Sequence, residues 1–208
     1  MEKFKAHLKS NWLKYLIIIL VLAVDMLTKF LLVPLDANNN IDTSKSVSKS
    51  LIGNFLWLYP SLNDGAGFSI LSGKAIFLIV LTIVFIVMLF IYDLLKPQKS
   101  KLYNIAIGLI FAGAFGNLID RLAFGGVVRD FIYFKFINFP VFNIADMALT
   151  FGIICFLVWF LFLQKKQQRK EVVENKENIV NEQNNLEKNN SIDKSDTSNG
   201  EDNERDNM

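Results

Sequence analysis

Four apolar stretches, near residues 12–34, 75–95, 102–119 and 147–164, constrain this chain more than any other feature. At about 1.5 Å per helical residue, each can cross the roughly 30 Å hydrocarbon core of a bilayer. In hydrocarbon every backbone N–H and C=O must be satisfied within its own segment, so runs of this length fold as helices. Of the 208 residues 52% are hydrophobic, more than a soluble core of this size needs. The expected fold is an all-α membrane protein of four transmembrane helices. Lys3, Lys5, Lys9 and Lys14 precede the first run as they do in a secretory signal. The run is longer than the ~7–15 residues of a signal core, and no small-residue cleavage site follows it.

Lysine and arginine beside the spans set the orientation, because they favour the cytoplasmic side. The N-terminal lysines, the turn with Lys96, Lys99 and Lys101, and the cluster from Lys165 to Lys170 all fall on one side. Four crossings then put both termini in the cytoplasm and segments 35–74 and 120–146 outside. Lys45, Lys49, Lys74, Arg121, Arg129 and Lys135 dilute that contrast. Two parts are expected, a membrane domain over 1–164 and a charged cytoplasmic tail over 165–208. From about Glu171 the tail is Asn, Glu, Lys, Asp and Ser, too polar to offset the entropy of ordering. "DANNNIDTSKSVSKS", residues 36–50, reads as a flexible outer loop. "NFLWLYP", residues 54–60, reads as a short strand at the membrane interface. The aromatic run at 131–142 is expected to rest on the bilayer or to line an apolar groove.

Reactive side chains are scarce. Cys155 is the single cysteine, so no disulfide forms within the chain. His7, the single histidine, lies in the basic N-terminus on the opposite side from the outer loops, so no His/Cys metal cluster, Cys–His pair or Ser–His–Asp triad can be built. A Ser–Lys dyad drawn from Ser69, Ser72 and Lys74 stays formally open. Neither a metal nor another cofactor is expected, nor a nucleic-acid partner.

Carboxylates remain, and within a membrane they are costly, at least ~2.5–3.5 kcal/mol at its centre, and usually functional. Asp120 follows the third run, Asp130 lies ten residues on, and Asp146 opens the fourth, so all three belong to the outer boundary. Two carboxylates brought close in an apolar setting cannot both ionise readily. A pair sharing one proton can act as base and acid toward water attacking a carbonyl, which is aspartyl-protease chemistry. The simpler reading has Asp146 capping the fourth helix and Asp120 paired with nearby cations, Arg121 being adjacent. Asp25 and Lys29, four apart in the first run, suit an intrahelical ion pair. Asn63, Gly65 and Gly67 suit a turn, while Gly113 and Gly116 suit close helix packing just before Asn117, Asp120 and Arg121. A proton-coupled carrier also uses intramembrane acids, but it would show repeated halves and broken helices. A four-helix adaptor needs no acids at all.

Taken in order, "DMLTK", "NDGAGF", "GNLIDR", "GGVVRDFI" and "FNIAD", spread over residues 25–146, resemble the lipoprotein signal peptidase, or signal peptidase II, family. The resemblance implies an intramembrane aspartyl endopeptidase of the cell membrane, with its active site at the extracytoplasmic face and a small β-rich cradle beside it. Such an enzyme removes the signal peptide from diacylglyceryl-modified prolipoproteins, cutting before the lipidated cysteine. Its partners are those signal peptides and membrane lipids, and it works as a monomer without a cofactor. By the same resemblance Asp130 and Asp146 form the catalytic dyad, and Asn117, Asp120, Arg121 and Asn143 position substrate and dyad. Asn63 and Gly65 belong to the cradle, and Asp25 with Lys29 supports the first helix. Asn143 and Asp146, three apart, are expected on one helix face. Three positions depart from the family pattern. Arg129 stands between Val128 and Asp130 where Val-Val-Asp-Phe is usual, which keeps Asp120 as a rival for the dyad. Leu62 and Asp64 replace a commoner Arg and a commoner small polar residue.

Overall fold

The structure, a computed structural model, describes residues 2–42, 44–46, 48–65, 71–95 and 100–163, together with 172, 173 and 176. The Lys96 and Lys99 turn, Gly67, Ser69 and the expected disorder of the tail lie outside the described residues. Met1–Trp159 forms one compact unit and Phe160–Met208 a second. The helix contacts, the sheet and the site all belong to the first.

Each apolar run becomes a helix: α1 (Glu2–Leu32), α2 (Ala75–Leu95), α3 (Lys101–Ala123) and α4 (Ile144–Val158), which passes into a π-helical turn at Trp159–Leu163. Four helices are thus long and apolar enough to cross a membrane. Their side chains are arranged inside out relative to a soluble bundle. Leucine, isoleucine and phenylalanine cover the outer faces of α1, α2 and α4, while Lys14, Asp25, Lys29 and Asp93 point inward and are buried. Lipid solvates the first set, and only protein can stabilise the second.

α3 is the central helix, with 72% of its spanning window buried against 11% for α1 and α2 and 22% for α4. Small residues make this possible. A Cβ on Gly113 would overlap the Ala145 carbonyl oxygen, and one on Gly116 would lie 2.6 Å from Asp25 Oδ2. The backbones of α3, α1 and α4 therefore meet closely where the polar residues gather, as the packing reading of these two glycines expects. At the opposite end of the bundle Tyr103, Ile107, Phe111 and Trp159 form an apolar core.

A three-stranded antiparallel sheet, β1 (Lys49–Ile52), β2 (Leu56–Asn63) and β3 (Val128–Phe134), stands beside the polar end in the order β1-β2-β3. The β2–β3 register pairs Leu58 with Ile132 and then Ser61 with Asp130, with an irregularity between. Pro60 lies in that interval, and without an N–H it cannot donate to the ladder. The aromatic run is therefore part strand: β3 holds its first residues, and a 3-10 turn at Lys135–Ile137 follows. The predicted loop over 36–50 is also more ordered than expected. Asp36 Oδ1 accepts the N–H groups of Asn38 and Asn40, Leu35 bridges to Ile41, and β1 begins at Lys49.

Candidate active site

α4 begins with a reciprocal cap. Asn143, in extended conformation, accepts the Asp146 N–H on its side chain at 2.9 Å, and its own N–H donates to Asp146 Oδ2 at 3.1 Å. Asn143 is therefore the N-cap and not a residue of the helix face, which corrects the expectation from the three-residue spacing. Capping does not exhaust Asp146, because its Oδ1 accepts the Asn117 Nδ2 at 2.7 Å.

The Asn143 side chain turns its amide nitrogen to β3, donating to Asp130 Oδ1 at 2.6 Å. One residue thus holds both acids. Asn63, at the end of β2, donates to the other oxygen of Asp130 at 3.0 Å. Its carbonyl accepts the Gly65 N–H at 3.0 Å, closing the turn. Asp130 is 1% exposed. Burial, then the charge of Asp146, pushes its carboxyl up to about 7 against the opposing Asn63 and Asn143 hydrogen bonds.

Asp120 sits elsewhere. It lies in the last turn of α3 and not beyond it, fully buried, and its cation is Arg129 and not the adjacent Arg121. Arg129 donates from its backbone N–H and Nε to Asp120 Oδ2, at 2.9 and 3.3 Å, and from Nη2 to Oδ1 at 2.7 Å. Successive residues of a strand face opposite ways. Arg129 therefore reaches α3 while its neighbour Asp130 reaches Asn63 and Asn143. The residue that departs from the family pattern leaves Asp130 in the site and closes off Asp120. Arg121 points across the site and donates to the Gly65 carbonyl at 2.8 Å. Its Nε is buried without a protein partner.

Lys29 joins α1 to this assembly. Its Nζ lies 2.8 Å from Asp25 Oδ2, as the four-residue spacing implies, and also 3.5 Å from Asp120 Oδ2. Asp25 Oδ1 in turn accepts the N–H of Ala145 at 2.9 Å, tying α1 to the first turn of α4. Of the serine candidates, Ser72 is exposed and donates to Asp64 Oδ2 at 2.6 Å, and the Gly73 N–H donates to the same oxygen at 3.1 Å. That hydroxyl is engaged by a carboxylate, and Asp64 ties the loop across itself.

A groove of about 940 Å³ runs from Asp146 along the bundle, with the buried Asp130 outside its lining. Asn63, Asn117, Arg121 and Asp146 line its polar end, and Leu81, Phe85 and Met88 of α2 face Met147 and Phe151 of α4 along its apolar part. The aromatic segment contributes Phe134, Phe139 and Phe142, as the groove-lining reading expected. A cleft of this size, apolar with a few convergent polar groups, suits a ligand with a long apolar body and one reactive polar centre. Among the described residues no group of His, Cys, Asp and Glu is placed to hold a metal ion.

Similarity to known proteins follows the same segments. The family model described as signal peptidase (SPase) II matches residues 17–162. A lipoprotein signal peptidase of Enterococcus faecalis (strain ATCC 700802 / V583) is 39% identical over 150 residues, which cover 70% of this chain and 92% of that protein. Two solved structures, each described as a bacterial membrane enzyme, are also similar. One superposes with a TM-score of 0.61 at 37% identity over 71% of this chain and 87% of its own. The other has a TM-score of 0.59 at 36% identity over 72% and 92%.

Proposed function

We infer the roles of these residues from one premise: the chain belongs to the signal peptidase II family, aspartic endopeptidases that remove signal peptides from prolipoproteins. Asp130 and Asp146 are the catalytic pair. The observation behind this assignment is the position of Asn143, whose amide nitrogen donates to one acid and whose backbone N–H donates to the other. Two acids fixed on a single residue, Asp146 in the lining of an apolar groove and Asp130 buried, can hold one water and one proton between them.

Asp130, raised by burial, enters as the acid, and Asp146 as the base. Asp146 takes a proton from water as the water oxygen attacks the scissile carbonyl carbon, and Asp130 gives its proton to the carbonyl oxygen. Collapse of the tetrahedral intermediate breaks the C–N bond. Asp146 passes its proton to the departing amine, and Asp130 recovers its own from the hydroxyl that becomes the new carboxyl oxygen. Asn63, Asn117 and Asn143 hold the two carboxyls, and Arg121 offers its unpaired Nε to a substrate carbonyl.

The substrate is a prolipoprotein carrying a diacylglyceryl-cysteine, cut immediately before that residue. Signal helix and acyl chains reach the groove sideways through the bilayer, between α2 and α4, where the walls are apolar. The enzyme is a multi-pass monomer of the cell membrane with both termini in the cytoplasm and the acids at the extracytoplasmic face. Residues 1–164 hold the activity, and 165–208 form a cytoplasmic appendage. Basic flanks support this orientation, although Lys14 is neutralised by Asp93 and contributes less than Lys3, Lys5 and Lys9.

Cleavage of a diacylated precursor peptide by protein reconstituted in vesicles tests the assignment. Asp130→Asn and Asp146→Asn are expected to insert and fold but not to cleave. An Asp120→Asn protein that folds is expected to retain turnover. Normal turnover by Asp130→Asn with none by Asp120→Asn would transfer the role to Asp120. Labelling of Asn38→Cys/Cys155→Ala, whose one cysteine is at position 38, by an impermeant maleimide from outside the cell tests the orientation.

A further inference from the structure

Lys29 lies on α1, away from the groove, yet one residue separates it from the reacting acids. Besides its ion pair with Asp25, Nζ donates to Asn117 Oδ1 at 3.2 Å. Asn143 Nδ2 donates to the same oxygen at 3.1 Å, so both lone pairs of the Asn117 carbonyl are filled. The Asn117 amide nitrogen is thereby left for Asp146 Oδ1, at 2.7 Å. An asparagine amide has two orientations of almost equal shape. An ammonium has donors only, so the inverted amide would set its NH2 against Lys29 and Asn143 and its oxygen against the Asp146 carboxyl. Lys29 is fully buried, and water does not compete for this bond.

We propose that Lys29 is a positioning residue for catalysis: by locking the Asn117 amide in one orientation it fixes the carboxyl of Asp146 against the attacking water. This inference rests on the assignment of Asp146 to the dyad. Asp25 has a separate role, joining α1 to the first turn of α4 through the Ala145 N–H that its Oδ1 accepts, while its Oδ2 pairs with the ammonium. Asp120 also lies 3.5 Å from Lys29 Nζ, but Arg129 donates to both of its oxygens, at 2.9 and 2.7 Å, and holds it without Lys29.

The test must remove Lys29 without orphaning a charge. Lys29→Met alone leaves Asp25 buried and unpaired, and loss of folding there would say nothing of catalysis. Asp25→Asn/Lys29→Met removes the pair together. The amide oxygen introduced at position 25 can still accept the Ala145 N–H, and replacement of a buried pair by neutral groups is commonly tolerated. With a diacylated precursor peptide, the double variant is expected to melt near the wild-type temperature, to keep KM within about twofold and to lose kcat by roughly 10²-fold, the effect of a misplacement near 1 Å. Asp25→Asn alone, which keeps the ammonium on Asn117, is expected to lose less than a tenth of that factor. Wild-type kcat in the folded double variant overturns the proposal, as does an equal loss in Asp25→Asn. Asp146→Asn, run beside them, separates this failure from that of the dyad: cleavage by Asp146→Asn sinks the dyad assignment itself, whereas an inactive Asp146→Asn with a fully active double variant sinks only the role of Lys29.

Discussion

Arg129 clasps Asp120 from two sides, its guanidinium on one carboxyl oxygen at 2.7 Å and its backbone N–H on the other at 2.9 Å. The pair pins β3 to the end of α3, and the Phe124 ring lies 4.3 Å from the guanidinium carbon. Both side chains are nearly inaccessible, at 8% and 0%. Truncating one partner of such a pair costs about 3–5 kcal/mol, while replacing both with neutral groups often costs little.

Arg129→Met is accordingly expected to lower stability by about that amount, because Asp120 then keeps only the backbone N–H of residue 129 and Lys29 at 3.5 Å. Arg129→Met/Asp120→Asn should recover most of the loss. Thermal unfolding of the purified proteins in one detergent, read as a double-mutant cycle, measures the coupling. A double variant as unstable as the sum of the two singles would show that the clasp contributes nothing.

The buried charges around the site balance in one protonation state. Lys29, Arg121 and Arg129 face Asp25, Asp120, Asp130 and Asp146, so this group is neutral when Asp130 and Asp146, the proposed catalytic pair, share one proton. Asp130, pushed up to about 7 chiefly by burial, is the natural holder of that proton. Cleavage should therefore fall as pH rises through about 7, with the acid form of Asp130 being lost. The stability effect has the same direction. The folded value lies above the ~3.9 of an unfolded carboxyl, so the contribution is complete below about pH 4 and is lost as pH climbs to about 7, with a ceiling on the order of 4 kcal/mol. Asp130→Asn, neutral throughout, should remove this slope from a melting-temperature profile between pH 4 and 8. A profile with the same slope in the variant would place the titrating group elsewhere.

How far the sequence reaches depends on the range of each interaction. The four spans were legible because hydrophobic length is a local property, and the acids because carboxylates are conspicuous at the edges of apolar runs. The cap was legible too and was misread. Asn143 followed three residues later by Asp146, just before an apolar run, is a capping-box pattern, so the pair belongs to a helix start and not a helix face. The role of Arg129 could not be read without first placing residues 128–134 in a strand, since only alternation separates its direction from that of Asp130. Lys29 meets Asn117 across 88 positions and Lys14 meets Asp93 across 79, and no local pattern announces either contact.

Close packing of α3 on α4 gives a second stability test. At Gly113 an added methyl would meet the Ala145 carbonyl oxygen and, at 2.8 Å, the Leu149 side chain. Neither backbone can yield without moving the first turn of α4, which bears Asp146. Gly113→Ala is expected to cost about 1–3 kcal/mol, the usual penalty for overpacking, and to lower kcat with it. Detergent melting curves and turnover of a diacylated peptide check both effects. Wild-type values for the two would mean that α3 and α4 have slack where the structure shows contact.

The other end of the bundle makes a prediction of a different kind. Lys14 of α1 and Asp93 of α2 form a buried ion pair at 2.5 Å. Only Leu78, Ile86 and Asp93 of α2 are buried, each seven or eight residues from the next, so this helix is held along a single narrow line. α2 supplies Leu81, Thr82, Phe85 and Met88 to the groove, whereas Asn63, Asn117 and Asn143, on other elements, hold the two acids. Releasing the far end of α2 should therefore disturb the wall that holds the substrate and leave the reacting groups in place. Lys14→Met is expected to raise KM several-fold with kcat little changed, the pattern of lost binding that is equal in ground and transition states. Lys14→Met/Asp93→Leu, which leaves no unpaired charge, should bring KM back toward the wild type. Measurement of both constants in vesicles decides the matter: a fall in kcat at constant KM would tie this distant pair to the acids and contradict the division of labour between α2 and the α3, α4 and β3 segments.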